Sequence, residues 1–352
     1  MDKKREIVHT LIETAVEKGI RDIKENSNRG TRNLVDLGMH FVKGRFQKNF
    51  FRIAQQMLDN ENCPYYRLVD NIIRLVDPEI IKHFCVNIGY NSWTYGAEKI
   101  REYEKKHGYN IPWTIIFNFS EDTENRLSDD DVSRLLHAGE SMGVYCGMFF
   151  AGRNKSELES LVRMLAAHKD GGYFIFLNPE LITDDIAKAT LDARNIAIVL
   201  AVDPAGDAAQ CGNAVEILQK NRCMYGTFCL YNDDNVKYIT SGKYLRQIEA
   251  LRCTFVFFVR QSLNVEQNVE YFSRFMQSSR NVCRYQFFIA DFYEDIANVD
   301  KIISVEDCFL AIKGNGSITA SKSRLLGGDL PNIRSHSLQS ILRKIMPRTQ
   351  YV

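Results

Sequence analysis

The chain has 352 residues, of which 45% are hydrophobic and 25% charged, the composition of an ordinary globular protein. Lysine and arginine number 45 against 44 aspartates and glutamates, so the net charge of +1 gives no field that would attract nucleic acid or an anionic membrane. No apolar run reaches the roughly 18 residues of a membrane span, and the charged N-terminus lacks the apolar core of a signal peptide. We therefore expect a cytoplasmic protein with no membrane span and no nucleic-acid partner.

The first 108 residues carry helical patterns and no series of strands. Asp77 is placed to cap one helix, with Pro78 at its first position, and Gly108 is placed to end the last one. An N-terminal helical segment is expected over residues 1–108. Its helices are predicted over 4–25, 34–60, 65–76, 77–93 and 94–108.

From Ile111 onward, short apolar runs rich in β-branched and aromatic residues alternate with helical patterns. The runs are apolar almost throughout, with a polar residue mainly at the exit, as expected for parallel strands covered on both faces. The consecutive β/α units favour an α/β fold, a partial or near-complete (β/α) barrel over 109–297, with a doubly wound open sheet as the main alternative. Strands are predicted over 111–120, 144–152, 172–180, 195–204, 223–233, 253–261 and 284–295.

The segment 298–352 has a different pattern. A strand CFLAI, a glycine-rich turn at 313–316 and a second strand SITAS predict a β-hairpin. The run SLQSILRK predicts a short helix after it. This C-terminal extension is expected to form the third part of the chain.

Cysteine and histidine spacing gives no metal site. The nine cysteines include no C-x-x-C pair, so reduced intracellular thiols are expected. The seven histidines never pair at the spacing of metal ligands, and each is predicted to lie on a surface or a helix face.

The order of these parts resembles a radical S-adenosylmethionine protein with an N-terminal helical segment and a C-terminal SPASM or twitch-like extension. The resemblance covers residues 65–345 and rests on the lead-in KKHGYNIPWTIIFNFS, on the strand spacing and above all on the tail. There, IKGNGSITASKS and LPNIRSHSLQSIL are similar to the family's hairpin followed by N-I-R-x-x-S-L-x-x-I. In this family, three cysteine thiolates hold a [4Fe–4S] cluster whose fourth iron binds S-adenosylmethionine.

The chain departs from the family where the resemblance would place the chemistry. The loop after the first strand reads SEDTENR over 120–126, where the family has C-x-x-x-C-x-x-C, and carboxylates are poor replacements for soft thiolates. The family's G-G-E at the exit of the second strand reads AGRN over 151–154, with one glycine left and no carboxylate. In the tail, Cys308 remains, but 319–321 reads TAS where a cysteine is expected. These departures imply no cluster and no radical chemistry.

Polar residues at the strand exits form the candidate site, because β/α barrels carry function at the carboxyl ends of their strands. They would form a polar cup for a small anion or a nucleotide-like ligand, or they are polar simply because strand exits are exposed. Asp203 is the strongest candidate, since the matching strand end in the family often helps to hold the ribose of the cofactor. Two arginines of the set would suit a carboxylate or phosphate. The set is Asn118, Gly152, Arg153, Asn178, Asp203, Asp233 and Arg260.

Two functions from different classes follow. The leading hypothesis is a radical-SAM-like pseudoenzyme with no cofactor, a scaffold that binds a protein or peptide, such as an active relative. In the alternative, the strand ends bind S-adenosylmethionine or another small anionic ligand without a cluster, and Asp203 or Asp233 acts as a base in polar chemistry. An unrelated β/α enzyme is the third possibility. The sequence leaves the oligomeric state and the identity of partner and ligand open.

Overall fold

A computed structural model of the protein describes residues 3–41, 45–120, 125–152, 154–206, 208–321 and 331–348. The chain divides into two compact units. The first unit comprises Met1–Lys82, Asn178–Leu191 and Ala197–Tyr293, and the second comprises His83–Leu177, Asp192–Ile196 and Glu294–Val352. The first unit combines pieces of the predicted segments 1–108 and 109–297, and the second combines pieces of those two segments with the whole of 298–352. The three-part division stays a prediction. Within the described ranges, no helix is both long and apolar enough to cross a membrane.

The strands form a nine-stranded, mostly parallel sheet in the order β7-β6-β5-β4-β3-β2-β1-β8-β9. Its strands are β1 (Thr114–Asn118), β2 (Cys146–Phe150), β3 (Gly172–Leu177), β4 (Ile196–Ala201), β5 (Tyr225–Asn232), β6 (Phe255–Ser262), β7 (Phe288–Asp291), β8 (Leu310–Lys313) and β9 (Ile318–Ala320). Only the terminal pair β8–β9, among the pairings described, is antiparallel. The predicted α/β fold, a partial (β/α) barrel with N-terminal helices and a C-terminal hairpin and helix, is confirmed.

Helices precede, connect and follow the strands. The α-helices are α1 (Lys3–Glu25), α2 (Ser27–Phe41), α3 (Arg45–Leu58), α4 (Pro64–Leu75), α5 (Pro78–Phe84), α6 (Ala97–His107), α7 (Asp129–Met142), α8 (Lys155–Ala167), α9 (Asp184–Ala193), α10 (Gly212–Lys220), α11 (Val236–Thr240), α12 (Lys243–Glu249), α13 (Glu266–Asn281), α14 (Phe292–Ser304) and α15 (Leu338–Ile345). A π-helix spans Cys85–Gly96, and short 3-10 helices span Pro179–Leu181 and Ala208–Cys211.

All seven predicted strands are present, each within or close to its predicted range, because each is an apolar run between turn signals. In β1 and β2 the first four residues are buried and the last is half-buried, which is the pattern expected for a covered parallel strand with a polar exit. The helical predictions differ in two places. The predicted helix 34–60 is two helices, α2 and α3, and the predicted helix 77–93 continues from α5 into the π-helix.

Gly96 ends the π-helix at a close approach to the turn after α7. A Cβ atom added at Gly96 would lie 2.4 Å from the carbonyl oxygen of Gly143 and 2.6 Å from that of Asn91. Only glycine leaves room for two carbonyls at this distance. Gly96 therefore allows the end of the π-helix to pack closely against the turn that follows α7.

The predicted hairpin is an extension of the main sheet within the second unit. Strand β8 pairs in parallel with β1, with Ala311 opposite Ile116 and Lys313 opposite Asn118. Beyond the paired residues, the N–H of Gly314 donates to the carbonyl of Asn118 at 3.0 Å, and the N–H of Leu127 donates to the carbonyl of Gly314 at 2.7 Å. The hairpin turn therefore holds both ends of the loop that follows β1.

Candidate functional site

A groove of about 380 Å³ opens in the second unit where β1 and β2 end. It lies between the first turns of α7 and α8, on the side of the strands where β/α proteins bind ligands. One part of its lining is apolar, from Phe119, Leu127, Val132, Leu158 and Leu161. The other part is polar, from Arg126, Ser128, Asp129, Ser156, Glu157 and Ser160.

Both helices that begin at the groove have capped N-termini. At α7, the hydroxyl of Ser128 accepts from the N–H of Asp131 at 3.2 Å, and the Asp131 carboxylate accepts from the N–H of Ser128 at 3.0 Å, which is a capping box. These hydrogen bonds from Ser128 hold the pKa of Asp131 below its usual value. At α8, the side chain of Asn154 accepts from the N–H of Ser156 at 2.9 Å. Helix N-termini carry a partial positive charge, so the groove favours negative groups at this end.

Arg126 and Glu157 form an ion pair in the lining of the groove. The guanidinium of Arg126 donates to the Glu157 carboxylate and to the carbonyl of Phe119. Its central carbon also lies 5.6 Å from the centroid of the Phe119 ring, within cation–π range. The arginine is therefore fixed by three contacts, and it presents a positive and a negative group side by side.

Gly152 lies directly against this ion pair. A Cβ atom at position 152 would lie 2.8 Å from Nη2 of Arg126 and 3.0 Å from Oε2 of Glu157, too close for both to stay in place. Glycine leaves room for the ion pair at this position, and a side chain here would displace the ends of Arg126 and Glu157. The segment 151–154 has no carboxylate, and Glu157, which was not among the predicted site residues, brings one to this strand exit from the first turn of α8.

Asn118, the other predicted residue of the second unit that the structure describes, directly precedes Phe119 of the groove lining. The side chain of Asn118 accepts from the N–H of Ser120 at 3.1 Å and from its hydroxyl at 2.6 Å, so Asn118 shapes the exit of β1. Arg153 lies outside the described residues. Arg126, in the loop that the sequence analysis set aside as lacking ligands, is the functional candidate that it missed.

The remaining four predicted residues belong to the first unit. Asn178 follows β3, Asp203 follows β4 and Arg260 lies near the end of β6, and all three are exposed. The carboxylate of Asp203 accepts from the N–H of Ala205 at 2.9 Å, which stabilises the turn after β4. The role of these residues in binding stays a prediction.

The carboxylate of Asp233 caps the start of α13. It accepts from the backbone N–H of Asn264 at 2.8 Å, from that of Val265 at 3.3 Å and from the amide of Asn268 at 2.8 Å. The hydrogen bond from Asn268, followed by that from Asn264, lowers the pKa of Asp233. Since a general base works best with a pKa near the working pH, these contacts favour a structural role for Asp233.

The cysteines do not supply thiolates to the groove. All nine are free, eight of them are buried, and none lies in the lining of the groove. The loop between β1 and α7 contains no cysteine. Burial raises the pKa of the Cys146, Cys229 and Cys253 thiols to about 12, which disfavours the thiolate form that binds iron. The residues at this strand exit therefore do not fit a [4Fe–4S] cluster.

No protein-family model and no curated protein matches the chain. Solved structures of SuiB from Streptococcus suis, a radical S-adenosylmethionine enzyme, are similar in fold. SuiB bound to S-adenosylmethionine matches with a TM-score of 0.52 at 12% identity, over 70% of this chain and 69% of SuiB. SuiB bound to its precursor peptide SuiA matches with a TM-score of 0.51 at 12% identity, over 76% of this chain and 70% of SuiB. A further SuiB structure matches with a TM-score of 0.50 at 11% identity, over 85% and 77% of the two chains.

These similarities show a radical-SAM-like fold, as the resemblance in sequence implied. They also correct one expectation. The prediction that the protein has no cofactor is wrong, because the fold that this chain shares with SuiB is seen there with S-adenosylmethionine bound.

Proposed function

We propose that this protein binds S-adenosylmethionine and a peptide on a radical-SAM-like fold and does not generate a radical through an iron–sulfur cluster. The observation that carries the proposal is the Arg126–Glu157 ion pair against Gly152, at the exits of β1 and β2. The similarity to SuiB in complex with S-adenosylmethionine and with its precursor peptide supports both ligands.

The ion pair suits the amino-acid end of S-adenosylmethionine. A guanidinium binds a carboxylate through two parallel hydrogen bonds, and a carboxylate accepts from an ammonium group. A zwitterion placed between Arg126 and Glu157 would exchange one ion pair for two, so little is lost when the existing pair opens. The apolar lining, with the Phe119 ring, offers contact for the remainder of the ligand.

The proposal of a cluster-free protein rests on the donor set. Radical chemistry in this family needs three thiolates beside the methionine end of the cofactor. The groove offers hydroxyls, carboxylates and a guanidinium instead, which are hard donors that bind iron–sulfur clusters poorly. When bound, S-adenosylmethionine would supply an electrophilic methyl group, and the chain's residues would orient it.

Polar chemistry on a bound ligand is the second candidate function. Asp203 is exposed after β4. It is a better candidate for the base than Asp233, because the Asp233 carboxylate is already occupied by hydrogen bonds at the start of α13. The other predicted residues, including Arg153, would contribute to ligand binding.

Calorimetric titration of the full chain with S-adenosylmethionine tests the binding proposal. Binding is expected in the wild type and at least tenfold weaker in Arg126→Gln and Glu157→Gln. Arg134→Gln is the matched control, because Arg134 forms an exposed ion pair with Asp131 on α7 outside this groove. No heat with the wild type, or equal affinity in all variants, would refute the assignment.

Two further experiments test the remaining parts. Anaerobic iron–sulfur reconstitution followed by iron analysis is expected to give no stoichiometric iron, and a bound cluster would contradict the cluster-free proposal. Purification of the tagged protein from its native cell is expected to recover a peptide or protein identified by mass spectrometry. Failure to recover any stable partner counts against the scaffold role.

A further inference from the structure

A histidine–glutamate–histidine cluster lies at the end of α7 remote from the groove. His137 and Glu140 stand in the last turns of α7, and His168 follows α8 directly. One ligand atom from each residue lies within 4.8 Å of the other two. Nδ1 of His168 is 2.8 Å from Oε1 of Glu140, and Nδ1 of His137 is 3.2 Å from Oε2. The cluster is separate from the groove, about 14 Å along the helix from Ser128 at a rise of 1.5 Å per residue.

His168 is held in a fixed orientation. The residue is buried, and its ring Nε2 is 2.9 Å from the hydroxyl of Ser133. Its backbone carbonyl accepts from the amide of Asn195 at 3.0 Å and from the N–H of Gly171 at 3.1 Å. The ring therefore cannot turn away from Glu140 without breaking its contact with Ser133.

The turn that follows His168 is also clamped, by two buried asparagines of the π-helix. The amide of Asn87 donates to the carbonyls of Lys169 and Gly171, each at 2.8 Å. The amide of Asn91 donates to the carbonyl of Asp170 at 3.0 Å. These three hydrogen bonds, one of them buried and two partly buried, fix the position of the turn and so of His168.

The hydrogen bond to Ser133 bears on the state of the ring. When Nε2 carries the proton and donates to Ser133, the lone pair of Nδ1 faces the Glu140 carboxylate. In this tautomer the two electron pairs can bind a shared cation, whereas in the other tautomer Nδ1–H donates to Glu140. Metal-binding histidines commonly have their second nitrogen fixed in this way by a neighbouring oxygen.

A cation lies beside the cluster and contacts the backbone of Glu140. Lys99 donates its ammonium to the backbone carbonyl of Glu140 at 2.8 Å and lies over the rings of Tyr95 and Tyr145. The carboxylate oxygens face the two imidazoles.

We propose that His137, Glu140 and His168 form a binding site for a divalent transition-metal ion of the Zn²⁺ class, with Ser133 orienting His168. Two imidazoles and one carboxylate are a donor set that Zn²⁺ uses. Zinc–ligand bonds of about 2.0–2.2 Å place tetrahedral ligand atoms about 3.3–3.6 Å apart. His137 and His168 contact different oxygens of the Glu140 carboxylate, at 3.2 Å and 2.8 Å. Both oxygens would therefore face a shared ion, and one ligand atom from each residue, within 4.8 Å of the others, would move inward by about 1 Å to reach this spacing.

The fourth position of the site faces solvent. The side chain of His137 is 67% exposed, so water or an external ligand reaches the ion from that side. The ion would join the end of α7 to the turn after α8. Its binding would therefore stabilise the second unit against unfolding.

Metal titration of the full chain after treatment with a chelator tests the site. Co²⁺ is expected to bind at one ion per chain with the visible absorption of a tetrahedral complex, and Zn²⁺ is expected to displace it and raise the unfolding temperature. His137→Ala and Glu140→Gln are expected to weaken Co²⁺ binding more than tenfold. His137 is exposed, so its removal leaves the fold intact.

His9→Ala is the matched control. His9 pairs with Glu13 at 3.5 Å and so offers a histidine–carboxylate pair that belongs to no described three-ligand group. Co²⁺ affinity equal to that of the wild type is expected for this variant. Absence of tetrahedral Co²⁺ absorption, or equal losses in His9→Ala and His137→Ala, would show that the cluster is only a hydrogen-bonded ion pair and would overturn the proposal.

Discussion

Raising the pH from about 6 to about 8 is expected to weaken the second unit by about 2 to 3 kcal/mol through one buried carboxyl group. Asp300, in α14, is fully buried. Its two oxygens accept from the backbone N–H groups of Trp113 at 3.1 Å and Cys308 at 3.2 Å. Burial raises the pKa of Asp300 from 3.8 to about 8, and it outweighs these two hydrogen bonds, which favour the carboxylate.

The sign follows from proton binding. Folded protein keeps the Asp300 carboxyl protonated through neutral pH, whereas the unfolded chain releases that proton above pH about 4. The folded state therefore binds more protons between the two values, and stability falls as the pH rises towards 8. The slope for one such group is about 1.4 kcal/mol per pH unit, and the loss levels off above the folded pKa.

Urea unfolding at several pH values, in the wild type and in Asp300→Asn, measures this slope. The chain has two tryptophans, Trp93 and Trp113, and both lie in the second unit, so their fluorescence reports the unfolding of that unit. Asp300→Asn is expected to lose the slope between pH 6 and 8 whatever its overall stability. Burial also raises the pKa of Glu104, which acts in the same direction, but Glu104 is present in both proteins.

Asp192→Asn is the matched control, because Asp192 is an exposed aspartate of the second unit that does not contribute to the shift at Asp300. It is expected to keep the wild-type slope. A wild type whose stability is level from pH 6 to 8, or an Asp300→Asn variant with an unchanged slope, would refute the reasoning.

Three further substitutions have defined outcomes. Gly152→Ala is expected to weaken S-adenosylmethionine binding at least tenfold in calorimetry, because the added methyl group displaces the adjacent ion pair; unchanged affinity would place the ligand elsewhere. Asn87→Ala is expected to destabilise the second unit by about 2 to 4 kcal/mol in urea unfolding, because the partly buried carbonyl of Lys169 and the buried carbonyl of Gly171 lose their donor; a loss below about 1 kcal/mol would contradict this. Asp233→Ala is expected to speed amide exchange at the start of α13 selectively, and uniform exchange would argue against its capping role.

The strands were predictable because their evidence is local. The run around β1 is apolar, rich in β-branched residues and followed by a turn, and the structure has a strand there. The hairpin of β8 and β9 was predictable for the same reason, from a glycine-rich turn between two apolar runs. The parallel pairing of β8 with β1 was not predictable, because the two strands are far apart in sequence and neither hydrophobic pattern indicates which strand lies beside it.

The candidate sites were predicted less well than the fold. Gly152 was identified from its position after β2, but its charged neighbours were not. Glu157 reaches the groove from a helix turn rather than from the strand exit, and its sequence position looks like an ordinary first-turn acidic residue. His168 meets His137 only because α7 and α8 end together, and no spacing rule within one helix detects that contact.

The hydrogen bonds between the hairpin turn and the loop after β1 have a consequence for the newly made chain. Asn118 and Leu127 leave the ribosome long before Gly314, whose backbone holds them both. During synthesis, the exit of β1 therefore lacks its contact with the hairpin turn until Gly314 has been added. Contacts between residues so far apart in sequence also form slowly. Ligand affinity at this exit would then depend on synthesis having passed the hairpin, since a chain that stops before Gly314 lacks the contacts that hold Asn118 and Leu127.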